Sequence, residues 1–256
     1  MKKLLVLLAA VCAVSVLAEG TLVYSIDFET SEGYAADKDL IEQGWRSIWS
    51  GVGRDMVRSD ATEAPSGTQY VVMGNDDESQ GANCSYVFNI SSQYKAGQKV
   101  RISWNSKNST TSGKVHYVKL HNLGTSGKNY DVEIAEMTIQ SSGWSYLAVC
   151  KEDKTSTSVS KLIQAGAWHD FSLTIDPATH KIMEYVIDDS VVLNGTENYC
   201  YKSDKGDGIA GRGDLIDGVR LMDFGAFDNF QVEVVPEPAF FGLIALLGLF
   251  FARKQR

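Results

Sequence analysis

From Gly20 onward the chain alternates polar and apolar side chains in short runs, and clusters of Gly, Ser, Asn and Asp close each run. Leu22, Tyr24, Ile26 and Phe28 fall on one face of an extended segment, with Thr21, Val23, Ser25 and Asp27 on the other. A period of two is what a half-buried strand requires. The same rhythm predicts strands over residues 70–73, 85–90, 100–105, 115–120, 132–139 and 146–150. Only residues 36–43 read as a short helix, and the Ser- and Thr-rich stretches 106–112 and 155–160 read as exposed loops. Residues 166–176, a turn at 177–180, residues 182–187 and a second turn at Asp188-Asp189 give a strand, turn, strand, turn, strand meander. Trp168 falls out of phase with Phe171, Leu173 and Ile175, which predicts a bulge near His169. A last strand covers residues 226–234. No repeat of fixed period interrupts this all-β pattern, which predicts an antiparallel β-sandwich.

The two tips break the pattern. Lys2 and Lys3 precede an apolar run from Leu4 to Leu17, and Val16 and Ala18 stand before Glu19. A cationic start, a greasy run and small residues at the end make a secretory signal peptide over residues 1–18, cut after Ala18. Its partners are the Sec export machinery and signal peptidase. Val11 is too bulky for the residue before a lipid-modified Cys12, so no lipid anchor is expected. At the other tip, Pro236-Glu237-Pro238 leads into an apolar stretch, residues 239–252, that halts at Arg253-Lys254-Gln255-Arg256. Two prolines cannot continue a sheet ladder and leave an extended, accessible linker. The basic tail resists translocation. The apolar stretch is shorter than the about 20 residues of a comfortable span, which favours a transient stop in the inner membrane over a permanent transmembrane helix.

This end, residues 235–256, resembles the PEP-CTERM sorting signal of Gram-negative bacteria: the Pro236-Glu237-Pro238 motif, a Gly- and Leu-rich apolar helix through Gly242 and Gly248, then Arg253 and Arg256. The resemblance implies recognition of Pro236, Glu237, Pro238 and Arg253 by an exosortase, and delivery to the cell surface or extracellular matrix among exopolysaccharide. The meander is similar to a concanavalin A-like or laminin-G-like jelly roll, in which a Trp-His pair such as Trp168-His169 opens the strand. That resemblance implies one jelly-roll domain over residues 19–234 and a carbohydrate ligand. Asp188-Asp189 stands where such folds carry Asp-Gly, which leaves the turn type open.

Charge narrows the partners. The formal charge of the 256-residue chain is −8, and setting aside Lys2, Lys3, Arg253, Lys254 and Arg256 makes it −13. Such a surface repels nucleic acid and anionic membranes and attracts divalent cations. Cys84, Cys150 and Cys200 remain outside the leader, in a compartment that permits disulfides, so one pair and one odd thiol is the simplest account. Spacing alone does not choose the pair. It contains no C-x-x-C of a zinc site.

Candidate chemistry is sparse. If the first and last strands pair, as they do in jelly rolls, Asp27 and Glu29 come near Asp228, whose phase with Phe230, Val232 and Val234 turns it toward the core. Three carboxylates there would suit a structural Ca²⁺, which takes oxygen ligands. Asp131, Glu133 and Glu136 approximate the carboxylate strand of laminarinase-like glycoside hydrolases, but the order is Asp-x-Glu-x-x-Glu instead of Glu-x-Asp-x-x-Glu, and regular alternation turns Glu136 away from Glu133. No catalytic residue is assigned. His116 and His121, five residues apart, fall on opposite strand faces. Among the tryptophans, Trp104 and Trp168 read as core, and Trp144, after Ser141-Ser142-Gly143, reads as loop-borne and best placed to stack on a sugar ring. The expectation is therefore a non-enzymatic carbohydrate-binding or structural surface protein, with a glycoside hydrolase or a ligand-free structural protein as the alternatives.

Overall fold

The computed structural model describes residues 20–47, 55–74, 81–88, 90, 92–95, 97–122, 132–151, 155–179, 181–199 and 218–235. Residues 1–18, expected as a signal peptide, and all but Val235 of the expected sorting segment 235–256 lie outside these residues. Among the described residues fifteen strands follow one another: β1 (Thr21–Ile26), β2 (Arg46–Ser47), β3 (Met56–Ser59), β4 (Gln69–Met73), β5 (Ala82–Val87), β6 (Lys99–Asn108), β7 (Val115–Asn122) and β8 (Val132–Gln140). The second half holds β9 (Trp144–Cys150), β10 (Ser156–Leu162), β11 (Trp168–Asp176), β12 (Lys181–Ile187), β13 (Ser190–Tyr199), β14 (Gly218–Asp223) and β15 (Gly225–Val235).

Every pairing among the described residues is antiparallel, and the strands form two layers. The first runs β13-β12-β11-β6-β15-β4-β3, with β1 beside the second half of β15. The second runs β2-β5-β14-β7-β8-β9, and β10 extends it from β9. Among the described residues one backbone pair, Tyr199 with Cys150, joins the layers at the β13 and β9 edges. The inner faces meet in a dry core where Trp104 stacks on Phe171 with ring centroids 5.4 Å apart. Tyr24 of β1 stacks on Phe88 across the layers at 5.1 Å. Removing a side chain such as Trp104, 2% exposed, would cost about 3–5 kcal/mol in transfer and cavity terms.

The first and last strands pair, Ile26 opposite Phe230, as the sequence predicts. Four expectations change. The helix at 36–43 is reduced to one 3-10 turn, Leu40–Gln43: Asp39 caps it by accepting from Ile41 N at 3.0 Å, and Gly44 at φ 99° ends it. Residues 106–108 belong to β6, and residues 156–160 to β10, an edge strand whose one apolar contact with the core, Val159 opposite Leu147, leaves little alternation to read. The irregularity in β11 lies between Thr174 and Ile175 in its pairing with β12, not near His169. Asp188 and Asp189 both sit at positive φ, 47° and 59°, the backbone of a two-residue I′ hairpin turn. Asp188 is held there because its carboxylate meets His169 Nδ1 at 2.6 Å and accepts from Asp170 N at 3.0 Å.

Candidate functional site

At the β1–β15 junction the structure brings the end of β1 to the middle of β15. Phe28 adopts φ 54° directly after β1, and Asn229 adopts φ 49° where β15 loses register with β6 between Asp228 and Gln231. Left-handed backbone is costly for a bulky residue, and burial of Phe28 against Tyr34, Trp45 and Phe227 holds it in place. The kink aims the two carboxylates flanking Phe28 at the loop before β4. Asp27 accepts from the Ser66 hydroxyl. Glu29 accepts from Thr68 N at 2.5 Å, Thr68 Oγ1 at 2.8 Å and Gln69 N at 2.8 Å. Burial alone would raise the Glu29 pKa, but these hydrogen bonds outweigh it and hold the carboxyl below its usual value. Gly67, at φ 58°, is the residue this contact requires, since a Cβ there would meet Glu29 Oε1 at 2.2 Å.

Asp228 is the opposite case. It is fully buried, and neither carboxylate oxygen closes a hydrogen bond; the Asn229 and Ser66 amides face it outside bonding geometry. Burial, with the charges of Asp27 and Glu29 adding to it, pushes its pKa up to about 8, so the carboxyl holds a proton at neutral pH. An orphaned carboxyl fits a cation ligand; Glu29, with its oxygens committed to Thr68 and Gln69, fits a loop clamp better. Among the described residues no three His, Cys, Asp or Glu side chains gather at metal-binding spacing.

A second constellation lies on the outer face of the second layer, and it contains Trp144. Directly opposed residues share a face, so Ser85, Arg220, Lys119, Glu136 and Ala148 form one row across β5, β14, β7, β8 and β9. Asn83, Met222, Tyr117, Thr138 and Tyr146 form the next. Trp144 follows on the same side, tilted against Tyr146 at 6.2 Å and opposite Leu162 of β10. It begins β9 and is not loop-borne; at 40% exposure it still presents a ring to solvent. Gly143 makes this possible, because a Cβ there would meet the Ile163 carbonyl at 2.4 Å.

The polar groups of this face are only partly satisfied. Arg220 Nε donates to Asn83 Oδ1 at 3.0 Å, and Lys119 Nζ meets Glu136 Oε2 at 2.5 Å. The Asn83 side-chain amide nitrogen and both ring nitrogens of His121 are buried without a partner. Burial, and then the charges of Arg220 and Lys119, lower the His121 pKa to about 3, so its ring is neutral and offers one donor and one acceptor. His116 faces the core instead, against Ser106 Oγ at 3.0 Å, so the two histidines do occupy opposite faces.

The hydrolase pattern meets a different geometry. Glu136 is committed to Lys119, and a bulge sets Leu120 opposite Ala135 but His121 opposite Glu133, so regular alternation does not relate Glu133 to Glu136. Asp131 and the Glu133 side chain lie outside the described residues. Pro236, Glu237, Pro238 and Arg253 do so as well. Sequence reasoning missed Asn83, Tyr117, Lys119, His121, Tyr146 and Arg220 as a set. Their only signal is strand phase, which needs the register between strands far apart in the chain.

No protein-family model matches the chain, and no curated protein matches it. Similar solved structures include the binding domain of botulinum neurotoxin serotype G, at 10% identity and a TM-score of 0.46 over 83% of this chain. This chain spans about half of that domain, 47% of its length. A conserved carbohydrate esterase of the Shiga toxin-encoding bacteriophage phi24B matches at 15% identity and a TM-score of 0.49, over 85% of this chain and 100% of that one. A Caenorhabditis elegans galectin matches at 6% identity and a TM-score of 0.37, over 58% of this chain and 88% of that one. Likenesses at these values do not carry a ligand from one chain to another.

Proposed function

We propose that this chain is an exported surface or matrix protein whose jelly-roll domain binds polysaccharide, without cleaving it, on the outer face of its second layer. The observation that carries the binding is the face itself. Exposed Trp144 stands beside Tyr146, which shares a row with Tyr117 and with Asn83, whose buried amide nitrogen lacks a partner; His121, buried with neither ring nitrogen bonded, lies on the same face two rows further along β7 from Tyr117. A saccharide has what such a face lacks: apolar C–H faces for the aromatic rings and hydroxyls that donate and accept. From β14 to β9 there are three strand spacings, about 14 Å, enough for two or three sugar rings. We read the Lys119–Glu136 pair as the reason Glu136 serves as a fixed acceptor and not as a glycosidic acid.

The test is a glycan array followed by affinity electrophoresis in the polysaccharides that score. Trp144→Ala is expected to weaken binding roughly 2- to 12-fold, and His121→Gln to weaken it further. Absence of any binding leaves the ligand-free structural alternative, and release of reducing sugar lost in Glu133→Gln would establish the hydrolase.

Export is supported by the signal peptide over residues 1–18 and the Pro236-Glu237-Pro238 segment with Arg253. In this reading signal peptidase leaves Glu19 as the first residue, an exosortase removes the tail after transient inner-membrane insertion, and the product reaches exopolysaccharide. Mass spectrometry of protein recovered from outside cells that carry an exosortase should show both trims. Intact chain in the cytosol would overturn this.

Ca²⁺ remains part of the reading at the junction, held by Asp228 and Asp27 and completed by carbonyl oxygens, since a hard cation takes six to eight oxygens. Glu29 would then act by anchoring the Thr68 loop beside it.

A further inference from the structure

The outer face of the second layer carries a cationic strip on an acidic protein. Arg46 of β2 lies opposite Ser85, so it extends the row Ser85, Arg220, Lys119, Glu136 and Ala148 by one strand. Among the described side chains this row holds three cations, Arg46, Arg220 and Lys119, against one carboxylate, Glu136, which is committed to Lys119 at 2.5 Å. Asp223, at the end of β14, lies in the field of Lys119, Arg220 and Lys114, and counting it together with Lys114 leaves the excess of positive charge unchanged. Arg46 is exposed, and two strand spacings, about 10 Å, separate it from Arg220. The chain as a whole carries −8, yet at physiological ionic strength charges more than about 8 Å away are largely screened. A polyanion that reaches this face therefore meets its local sign.

The unpartnered groups on either side of this row lack acceptors more than donors. Arg220 Nε donates to Asn83 Oδ1 at 3.0 Å, which fixes the orientation of that amide: its oxygen is used, and its nitrogen, in a side chain 3% exposed, offers N–H groups with nothing to receive them. His121, one row beyond Lys119 on the other side, adds one donor and one acceptor. A sugar hydroxyl meets part of this need. A carboxylate meets more of it, because it only accepts and brings a negative charge to the arginines, and hydrogen bonds assisted by charge are about twice as strong as neutral ones. Arginine matches such a group best, its planar fork of N–H donors fitting two carboxylate oxygens at once.

We propose, resting on the reading of this face as a polysaccharide site, that its ligand is a polyuronate, a chain of carboxyl-bearing sugars whose carboxylates are held by Arg220 with the Asn83 amide and by Arg46, while Trp144 and Tyr146 stack on its rings. The chain lies across the strands. From β2 to β9 there are five strand spacings, about 24 Å, which is room for about four or five rings. The distance from Arg46 to Arg220 then corresponds to carboxylates about two rings apart. A neutral polymer has the rings for Trp144 but no group for either arginine.

The test titrates the full chain onto beads bearing polygalacturonate, alginate or hyaluronate, each beside the same polymer with its carboxyl groups reduced to primary alcohols. At least one acid polymer is expected to bind roughly 10-fold or more tighter than its reduced form. Arg220→Gln should weaken binding to that polymer roughly 10-fold or more, and Arg46→Gln, at an exposed side chain, roughly 2- to 5-fold, with neither changing the binding of the reduced form. Equal binding of acid and reduced forms, binding confined to neutral glycans, or binding of the acid polymer that both arginine variants leave intact would each overturn the proposal and leave the polysaccharide face standing. Single-stranded DNA held as tightly as the acid polymer would overturn it too, since charge alone would then suffice. Failure of every glycan, acidic and neutral, would overturn the face as well.

Discussion

The two faces of the second layer differ by one residue in register and by almost everything in chemistry. On the inner face the row Cys84, Leu221, Val118, Met137 and Leu147 is apolar and at most 1% exposed. On the outer face the adjacent row is Ser85, Arg220, Lys119, Glu136 and Ala148. Inner residues spend their contacts on one another. Outer ones leave His121 and the Asn83 amide nitrogen without partners although both are buried, a state that costs stability and gains its return when a ligand supplies the missing bonds. The difference teaches that the same five strands divide their labour by side: holding the fold on one, meeting a partner on the other.

A core truncation breaks the comparison most severely. Leu221→Ala should cost about 2–5 kcal/mol in denaturant unfolding, while the surviving folded fraction binds glycan normally. If binding fell in proportion to nothing but face geometry, with stability intact, the inner row would have been misassigned.

Acid comes next. His121, and His116 on the inner face, have their pKa values lowered to about 3 by burial, from a usual value of 6.5. A base whose folded pKa is depressed supports the fold above its unfolded pKa, and that support is lost as pH falls from about 6.5 toward 3. His121→Gln should flatten this fall by a few kcal/mol and weaken glycan binding; His116→Gln should flatten it and leave binding alone. Equal effects of both on binding would erase the distinction between faces.

Asp228 has the reverse sign. An acid whose folded pKa is raised to about 8 costs nothing at low pH and destabilises increasingly as pH climbs from 3.8 to about 8. Asp228→Asn should therefore gain on the natural protein over that window, by on the order of a few kcal/mol at pH 8. Added Ca²⁺ should raise the Tm of the natural protein at pH 8 and not that of the variant; no Ca²⁺ effect in either would remove the cation from the junction. Smallest of all, Lys38→Ala should change stability by under about 0.5 kcal/mol, because its pair with Glu42 at 3.6 Å is open to solvent on both sides.

Strand phase made much of this fold legible. The inward turn of Tyr24 and Ile26 and the meander through Asp188-Asp189 are local properties, set by one side chain per 3.3 Å and two faces per strand; Leu22, exposed beyond a register shift in β1, and Asp228, set opposite Asn105 and cut off from the phase of Phe230 and Val232 by the register break after it, are not. β10 was not legible, because an edge strand that packs a single apolar residue, Val159, against the core shows almost no alternation. Nor was the 3-10 turn at Leu40, where Gly44 stops a helix that the preceding residues would otherwise continue.

The candidate site shows the same division. Trp144 could be chosen from the chain alone as an aromatic beside a glycine; its neighbours could not, since Arg220 lies on a strand that pairs with residues more than a hundred positions earlier. Similarly, the sequence leaves the pairing among Cys84, Cys150 and Cys200 open, and only the order of strands sets Cys84 about 19 Å from Cys150.

Composition and period determined that this chain would be an antiparallel β protein with greasy, charge-bounded tips, because alternation and partitioning are decided within a few residues. Which strands became neighbours, and so which polar groups were buried without partners, was decided by the tertiary structure, because register is a relation between distant segments that no single segment encodes.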